Sequence, residues 1–143
     1  MQNMKSEFKF DPSFYNGKRV LVTGCTGFKG SWLCHMLTKL GAKVYGLALE
    51  PENESLFNIL NLKDEIVYRD HDIRCFDYVH LFLCEAKPEI VFHLAAQPIV
   101  SEGYRDPILT YGTNVMGTVN LLHAVKTFPT ARCIINVTTD KVY

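Results

Sequence analysis

Short apolar runs alternate along the chain with longer segments whose apolar residues recur at helical spacing. The runs are typical of strands buried in a parallel sheet, and they lie at 20–22, 43–49, 66–69, 90–95 and 133–137. Helical spacing predicts helices at 31–40, 76–86 and 107–128, a short helix at 55–62 and a loop at 96–106. This alternation predicts an α/β fold with a doubly wound parallel sheet, and right-handed crossovers give the strand order 3-2-1-4-5.

The two ends of the sequence differ from the middle. Residues 1–17 are polar and aromatic and contain Pro12 and Gly17, which predicts an N-terminal extension ahead of a domain at 18–143. The fifth predicted strand would form an edge whose apolar face lacks cover. We therefore expect a domain truncated after strand five, without a substrate domain. The alternative is a natural small domain whose edge is covered by a partner.

A glycine-rich segment links the first predicted strand to the first predicted helix. Its glycines stand three residues apart, one residue more than in the plain dinucleotide fingerprint. Backbone N–H groups at a helix N-terminus attract phosphate, and glycines leave room for the ligand and for helix–strand contact. We expect this segment to hold the pyrophosphate of a dinucleotide, with a structural turn as the alternative. The residues concerned are Gly24, Thr26, Gly27, Phe28, Lys29 and Gly30.

Charge and composition remove several classes of function. The formal net charge is zero and no basic run is present, which disfavours binding to nucleic acid or to an anionic membrane. No apolar stretch approaches the roughly 18 residues of a membrane helix, and the N-terminus lacks a secretory apolar region, so a cytoplasmic protein is expected. The five cysteines are expected to be reduced, and the histidines lack metal-ligand spacing, so no metal site is predicted.

Several segments resemble one known family. Thr-Gly-x-Thr-Gly-Phe-x-Gly-Ser at 23–31 resembles the pyrophosphate loop of the extended short-chain dehydrogenase/reductase family, whose nucleotide-binding domain is Rossmann-like. Together with 93–98, 113–118 and 138–143, it is similar to the sugar-nucleotide 4,6-dehydratases of that family. The similarity extends from about Pro12 to the last residue.

The resemblance implies a lyase of deoxysugar biosynthesis that uses NAD as its cofactor. Its substrate would be a nucleotide-sugar, CDP-glucose. The reaction would oxidise C4, eliminate water across C5 and C6, and return hydride to C6. A homo-oligomer is implied for the full-length protein. Two alternatives stay open, a related NAD-dependent epimerase or dehydratase and a non-catalytic nucleotide-binding module.

The resemblance also assigns residues to the cofactor. Asp72 and Ile73 would contact the adenine, although Asp72 could instead cap a helix. The segment Leu94, Ala95, Ala96 and Gln97 would lie along the nicotinamide half, and Asn114 would steady the nearby backbone or be purely structural. The preceding His93 is expected to be a hydrogen-bonded core residue.

The end of strand two departs from the family pattern. A ribose-binding acid is usual about 20 residues beyond the glycine loop, and the family position holds Ala48 here. Glu50 could approach the same hydroxyls, because residues two apart in a strand share a face. The alternative is an exposed loop glutamate. No arginine lies at 48–53 to hold a 2′-phosphate, which favours NAD over NADP.

The implied catalytic residues follow strand five. Thr139 would hydrogen-bond the C4 oxygen, Asp140 would protonate the leaving C6 hydroxyl, and Lys141 would assist removal of the C5 proton. A solvated charge pair is the alternative. The hydride step of the family also needs a Tyr-x-x-x-Lys pair, which none of the seven tyrosines provides. The chain is therefore expected to be inactive on its own.

Overall fold

Five parallel strands form one sheet in the order β3-β2-β1-β4-β5, in a computed structural model that describes residues 11–138. The predicted α/β fold and strand order are confirmed. The order follows from the crossover connections, each of which places a helical segment on one face of the sheet. The strands are β1 (Arg19–Thr23), β2 (Lys43–Ala48), β3 (Val67–Asp70), β4 (Ile90–His93) and β5 (Cys133–Asn136).

Seven α-helices and one π-helix lie between the first and the last described strand. The π-helix spans Gly112–Gly117 and joins the sixth α-helix to the seventh without a break. The α-helices are α1 (Phe28–Lys39), α2 (Leu56–Ile59), α3 (Leu62–Glu65), α4 (Phe76–Ala86), α5 (Val100–Arg105), α6 (Pro107–Tyr111) and α7 (Thr118–Val125). Within the described residues, no helix is long and apolar enough to cross a membrane.

The observed strands match the predicted ones to within one or two residues, whereas four predicted helical and loop segments differ from the structure. Helix α1 begins at Phe28 and not at Ser31, because Gly27 already has the extended conformation of an N-cap. The segment 55–62 contains two short helices, α2 and the start of α3, separated by Asn61 in the left-handed conformation. The predicted loop at 96–106 contains α5, and the predicted helix at 107–128 is divided by the π-helix and ends at Val125.

The sheet has an apolar core on each face. Alternating side chains of β1 point to opposite faces, so Val20 and Val22 contribute to one core and Leu21 to the other. The first core is closed by α1, α2 and α3, and the second by α4 and α7. Burial on both faces explains why the strands are nearly continuous apolar runs.

The described part of the predicted N-terminal extension packs onto the domain. Residues Pro12–Tyr15 form a 3₁₀ turn that Asp11 caps through its side chain. The N–H of Gly17 donates to the carbonyl of Gly41 over 2.8 Å, and Tyr15 packs against the core that contains Val20. Residues 11–17 therefore lie against the start of β1 and the turn after α1.

Candidate functional site

A groove of about 520 Å³ lies at the carboxyl end of the sheet. Parallel sheets bind ligands at this edge, because the loops that follow the strands meet there. The glycine loop, the end of β2 and the segments that follow β3, β4 and β5 all line the groove. Its volume suits a cofactor-sized ligand.

The three glycines of the loop have two different functions. A Cβ on Gly24 would lie 2.7 Å from the amide nitrogen of Ala95, and one on Gly30 would lie 2.1 Å from the carbonyl oxygen of Gly24. These two glycines allow α1 and the loop after β4 to approach β1. A Cβ on Gly27 would meet only the Gly24 oxygen, at 3.5 Å, so Gly27 borders open space in the groove.

The N-terminus of α1 provides the positive end of a helix dipole at the groove. No side chain caps this helix, and the first residues, Phe28, Lys29 and Gly30, all line the groove. The N–H groups of a first helical turn have no intrahelical partner. The buried hydroxyl of Ser31 donates to the carbonyls of Cys25 and Gly27, which fixes the loop. The open space at Gly27 and these N–H groups fit a bound pyrophosphate.

The end of β2 brings Ala48 and Leu49 to the groove but not Glu50. Thr26 connects the glycine loop to this strand, since its hydroxyl donates to the carbonyl of Leu49 over 3.0 Å. Glu50 is exposed and is not among the residues that line the groove. Its contact with a ribose stays a prediction.

The segment after β3 places Asp72 and Ile73 on the groove. Asp72 does not cap α4, so this alternative is wrong: the N-cap is Cys75, and the Asp72 carboxylate instead accepts hydrogen bonds from Arg74. Those bonds lower the pKa of Asp72 below its usual range, so the carboxylate is ionised at neutral pH. Ile73 is buried against Gly117.

The segment after β4 lines the groove through Leu94, Ala95 and Ala96. Gln97 and Asn114 do not line the groove, but they contact each other. The Gln97 N–H donates to Oδ1 of Asn114 over 2.7 Å, and Nδ2 of Asn114 donates to the Gln97 carbonyl over 3.1 Å. One side chain of the π-helix thus satisfies both backbone groups of the residue that follows Ala96.

The groove also contains residues outside the predicted set of cofactor-binding and catalytic residues. They are Leu47, Leu49, His71, Arg74, Pro98, Leu109, Thr113, Val137 and Thr138. Pro98, Thr113 and Thr138 lie in the segments 93–98, 113–118 and 138–143 that resemble the family, and His71 directly follows a strand end. No pattern in the sequence indicates Leu109. Thr139, Asp140 and Lys141 lie outside the described residues.

The comparisons with known proteins agree on one family. The family model of GDP-mannose 4,6 dehydratase matches residues 21–143. The chain belongs to this family. It is 52% identical over 134 residues to CDP-glucose 4,6-dehydratase of Salmonella typhimurium, which covers 93% of this chain and 37% of that protein. A UDP-glucose 4-epimerase of Mycolicibacterium smegmatis is 40% identical over 110 residues, and the match covers 76% of this chain and 34% of that epimerase.

Solved structures of epimerases have the same fold as this member of the family. The UDP-glucose-4-epimerase of Stenotrophomonas maltophila, with bound NAD and formylated UDP-arabinopyranose, superposes with a TM-score of 0.75 at 25% identity. The superposition covers 88% of this chain and 38% of the epimerase chain. The Thermus thermophilus UDP-glucose 4-epimerase in complex with NAD superposes with a TM-score of 0.68 at 32% identity. This match covers 77% of this chain and 34% of the epimerase. The chain spans about a third of the length of these relatives.

In this family member, a chain of hydrogen bonds through the buried His93 connects β1, β4 and α7. The Thr118 hydroxyl donates to the Asn114 carbonyl over 2.7 Å, so its oxygen accepts from Nε2 of His93 at 2.9 Å. Nδ1 of His93 then accepts from the Thr23 hydroxyl at 2.6 Å. The Thr23 oxygen accepts from the N–H groups of Leu94 and Ala95, each over 3.2 Å. His93 therefore anchors the segment that lines the groove, as a core histidine should.

This chain of bonds predicts a loss of stability at mildly acidic pH. His93 is 2% exposed, and burial lowers its pKa below the usual value of about 6.5. A histidine with a lowered pKa binds its proton more weakly when folded, so its contribution is complete above about pH 6.5 and is lost as the pH falls through the lowered value. The free energy of unfolding should then fall by up to about 1.4 kcal/mol per pH unit.

Denaturant unfolding of His93→Gln from neutral pH down to about pH 5 checks this expectation, because the variant lacks the titrating ring. The variant should show a shallower pH dependence than the native chain. His123→Gln is the control, since His123 is exposed and forms none of these hydrogen bonds. Equal slopes in the native chain and the His93 variant would contradict the role of His93.

Proposed function

We propose that this chain is the NAD-binding part of a sugar-nucleotide 4,6-dehydratase that converts CDP-glucose to CDP-4-keto-6-deoxyglucose. The observation that carries the proposal is the 52% identity to CDP-glucose 4,6-dehydratase over 93% of the chain. The groove supports it, because its glycine loop and uncapped helix N-terminus fit a dinucleotide. Relatives crystallised with NAD support the choice of cofactor.

Three parts of the groove would hold NAD. The first turn of α1, at Phe28, Lys29 and Gly30, would bind the pyrophosphate through its N–H groups. Asp72 would accept from the adenine amino group, with Ile73 against the ring. The small side chains of the segment Leu94–Ala96 would allow the backbone to approach the nicotinamide half. NAD supplies the hydride acceptor and donor for the reaction, and the residues named here orient it.

NAD is preferred to NADP in this proposal. No arginine lies at 48–53, the position at which one would hold a 2′-phosphate, and Glu50 and Glu52 would repel that phosphate. Ala48 lines the groove at the position where the family resemblance implies an acid, so the ribose hydroxyls would lack that direct carboxylate partner. Glu50 would need to turn toward the groove to replace it.

The catalytic assignments come from the resemblance at 138–143. Thr139 would hydrogen-bond the C4 oxygen, Asp140 would protonate the leaving C6 hydroxyl, and Lys141 would assist removal of the C5 proton, which the 4-ketone acidifies. Lys141 must first lose its own proton, and burial or a cationic neighbour would lower its pKa enough. The printed sequence has no Tyr-x-x-x-Lys pair for the hydride step, so we propose that these 143 residues do not turn over alone.

A homo-oligomer is proposed for the whole protein. Exposed apolar side chains follow the outer side of α5, α6, the π-helix and α7, and an uncovered apolar surface of this kind is typical of an interface. They belong to Tyr104, Ile108, Tyr111, Val115, Val119 and Leu122. We propose that this surface contacts a second copy of the protein.

Incubation of the natural protein with CDP-glucose and NAD tests the proposed function. Formation of a 4-keto-6-deoxy sugar nucleotide is the expected result, with UDP-glucose and GDP-mannose as comparison substrates. The second candidate is a 4-epimerase, which the 40% identity to a UDP-glucose 4-epimerase supports. Conversion of UDP-glucose to its 4-epimer, with CDP-glucose unchanged, would favour that candidate over the dehydratase.

A further inference from the structure

The carboxylate of Asp72 is held in place by a single residue. The backbone N–H of Arg74 donates to Oδ1 of Asp72 over 2.8 Å. The Arg74 guanidinium donates twice to Oδ2, from Nε over 2.9 Å and from Nη2 over 2.6 Å. These three bonds reach both carboxylate oxygens, and they fix the carboxylate's plane as well as its position.

Arg74 is itself positioned by the π-helix and α7. Its Cδ lies 3.4 Å from the place where Gly112 would carry a Cβ, so the arginine stem packs beside the start of the π-helix. Nδ2 of Asn120 donates to the carbonyl of Arg74 over 2.8 Å and to that of Ile73 over 3.3 Å. The backbone that carries Arg74 is thereby tied to α7.

Asp72 and Arg74 both lie where they could contact the base of a bound dinucleotide. His71, Asp72, Ile73 and Arg74 all line the groove at the end of β3. An ionised carboxylate only accepts hydrogen bonds, and Oδ1 of Asp72, which accepts a single bond from Arg74, still has capacity for one more donor. A fixed acceptor of this kind favours a ligand with an amino group at that place over one with a carbonyl oxygen.

We propose that Arg74 is a positioning residue that makes the groove selective for a 6-aminopurine dinucleotide over its 6-oxo counterpart. The inference rests on the proposed function, in which Asp72 contacts the adenine. The alternative is an ordinary surface ion pair, because the Arg74 and Asp72 side chains are 44% and 28% exposed. Such a pair contributes little to stability, so the test must measure base discrimination.

Calorimetric titration of the natural protein with NAD and with nicotinamide hypoxanthine dinucleotide measures that discrimination. The two ligands differ at the 6-position of the purine, where an amino group is replaced by an oxo group, and at the neighbouring N1, which carries a proton only in the oxo form. Contacts to the rest of the dinucleotide cancel in the ratio of their Kd values. We expect NAD to bind roughly tenfold or more tightly than the hypoxanthine form, as a charge-assisted hydrogen bond predicts. Arg74→Met should bring the ratio close to one, mainly by weakening NAD.

Two further variants make the result specific. Arg74→Lys keeps a cation and most of the stem but cannot donate from two nitrogens to Oδ2, so it should also lose most of the discrimination. Arg69→Met is the matched control, because Arg69 forms a 2.6 Å ion pair with Glu85, is 45% exposed, and does not line the groove. It should leave the ratio unchanged.

The outcomes separate this inference from the function on which it rests. A native protein that binds neither dinucleotide would overturn the proposed function and the inference with it. A native protein that binds NAD without discrimination, or Arg74 variants that keep the native ratio, would overturn the inference alone. The same is true if Arg69→Met lowers the ratio as far as Arg74→Met.

Discussion

Replacing Gly27 with valine is expected to abolish NAD binding and to leave the chain folded. A Cβ at Gly27 meets only one protein atom within 4 Å, the Gly24 oxygen at 3.5 Å, so the substitution strains little of the fold. The added methyl groups would occupy the part of the groove next to the N-terminus of α1, where the pyrophosphate is proposed to bind. We expect at least a hundredfold increase in the Kd for NAD, or about 2.8 kcal/mol.

Calorimetry and circular dichroism check this prediction together. Gly103→Val is the control, since a Cβ at Gly103 also meets only ordinary contacts, at 3.8 Å and beyond, and Gly103 does not line the groove. That variant should bind NAD normally. Gly30→Ala should instead lose the fold, because its Cβ would lie 2.1 Å from a backbone oxygen. Unchanged NAD affinity in a folded Gly27 variant would show that the pyrophosphate is bound elsewhere.

The second large effect concerns Asp140, and it must be measured in the complete enzyme. If Asp140 protonates the leaving C6 hydroxyl, Asp140→Asn should still oxidise C4 but stall before water is eliminated. An amide cannot supply the acidic proton, and loss of a general acid typically costs a factor of roughly 10² to 10⁴. The absorbance of enzyme-bound reduced nicotinamide should rise when CDP-glucose is added and should not decay.

Lys141→Met serves as the companion variant. It should slow the exchange of the C5 proton with solvent without blocking C4 oxidation. If Asp140→Asn gives no reduced nicotinamide and leaves the sugar untouched, Asp140 is required for oxidation or for folding, and the assignment is wrong. Normal turnover in both variants would support the solvated charge pair.

Much of the fold could be predicted because few arrangements satisfy its sequence pattern. Five apolar runs separated by helical segments favour a parallel sheet, and handedness leaves few strand orders. The glycine loop then fixes which strand lies at the centre. The confirmed order shows that these constraints act together.

The sequence does not predict which face of α1 is buried. Trp32 and Met36 are among the apolar residues that recur at helical spacing in this segment, yet their side chains are 45% and 55% exposed. The buried residues are instead Gly30, Ser31, Cys34 and Leu37. The close approach of Gly30 to the Gly24 carbonyl determines the rotation of the helix, and apolar periodicity does not report that contact.

The sequence also does not predict the hydrogen-bond partners of the side chains around the groove. The pairing of Asn114 with both backbone groups of Gln97 depends on the π-helix, which an apolar pattern cannot distinguish from an α-helix. The backbone that carries Arg74 is held by Asn120, 46 residues away along the chain. Contacts of this kind arise from the assembled fold and not from local spacing.

Amide hydrogen exchange with and without NAD tests the central claim most directly, because it reports where on the chain the dinucleotide binds. The account predicts that NAD slows exchange at the first turn of α1, at Phe28, Lys29 and Gly30, and at the segments 71–74 and 94–97. NAD-induced protection elsewhere, with the first turn of α1 unchanged, would contradict it.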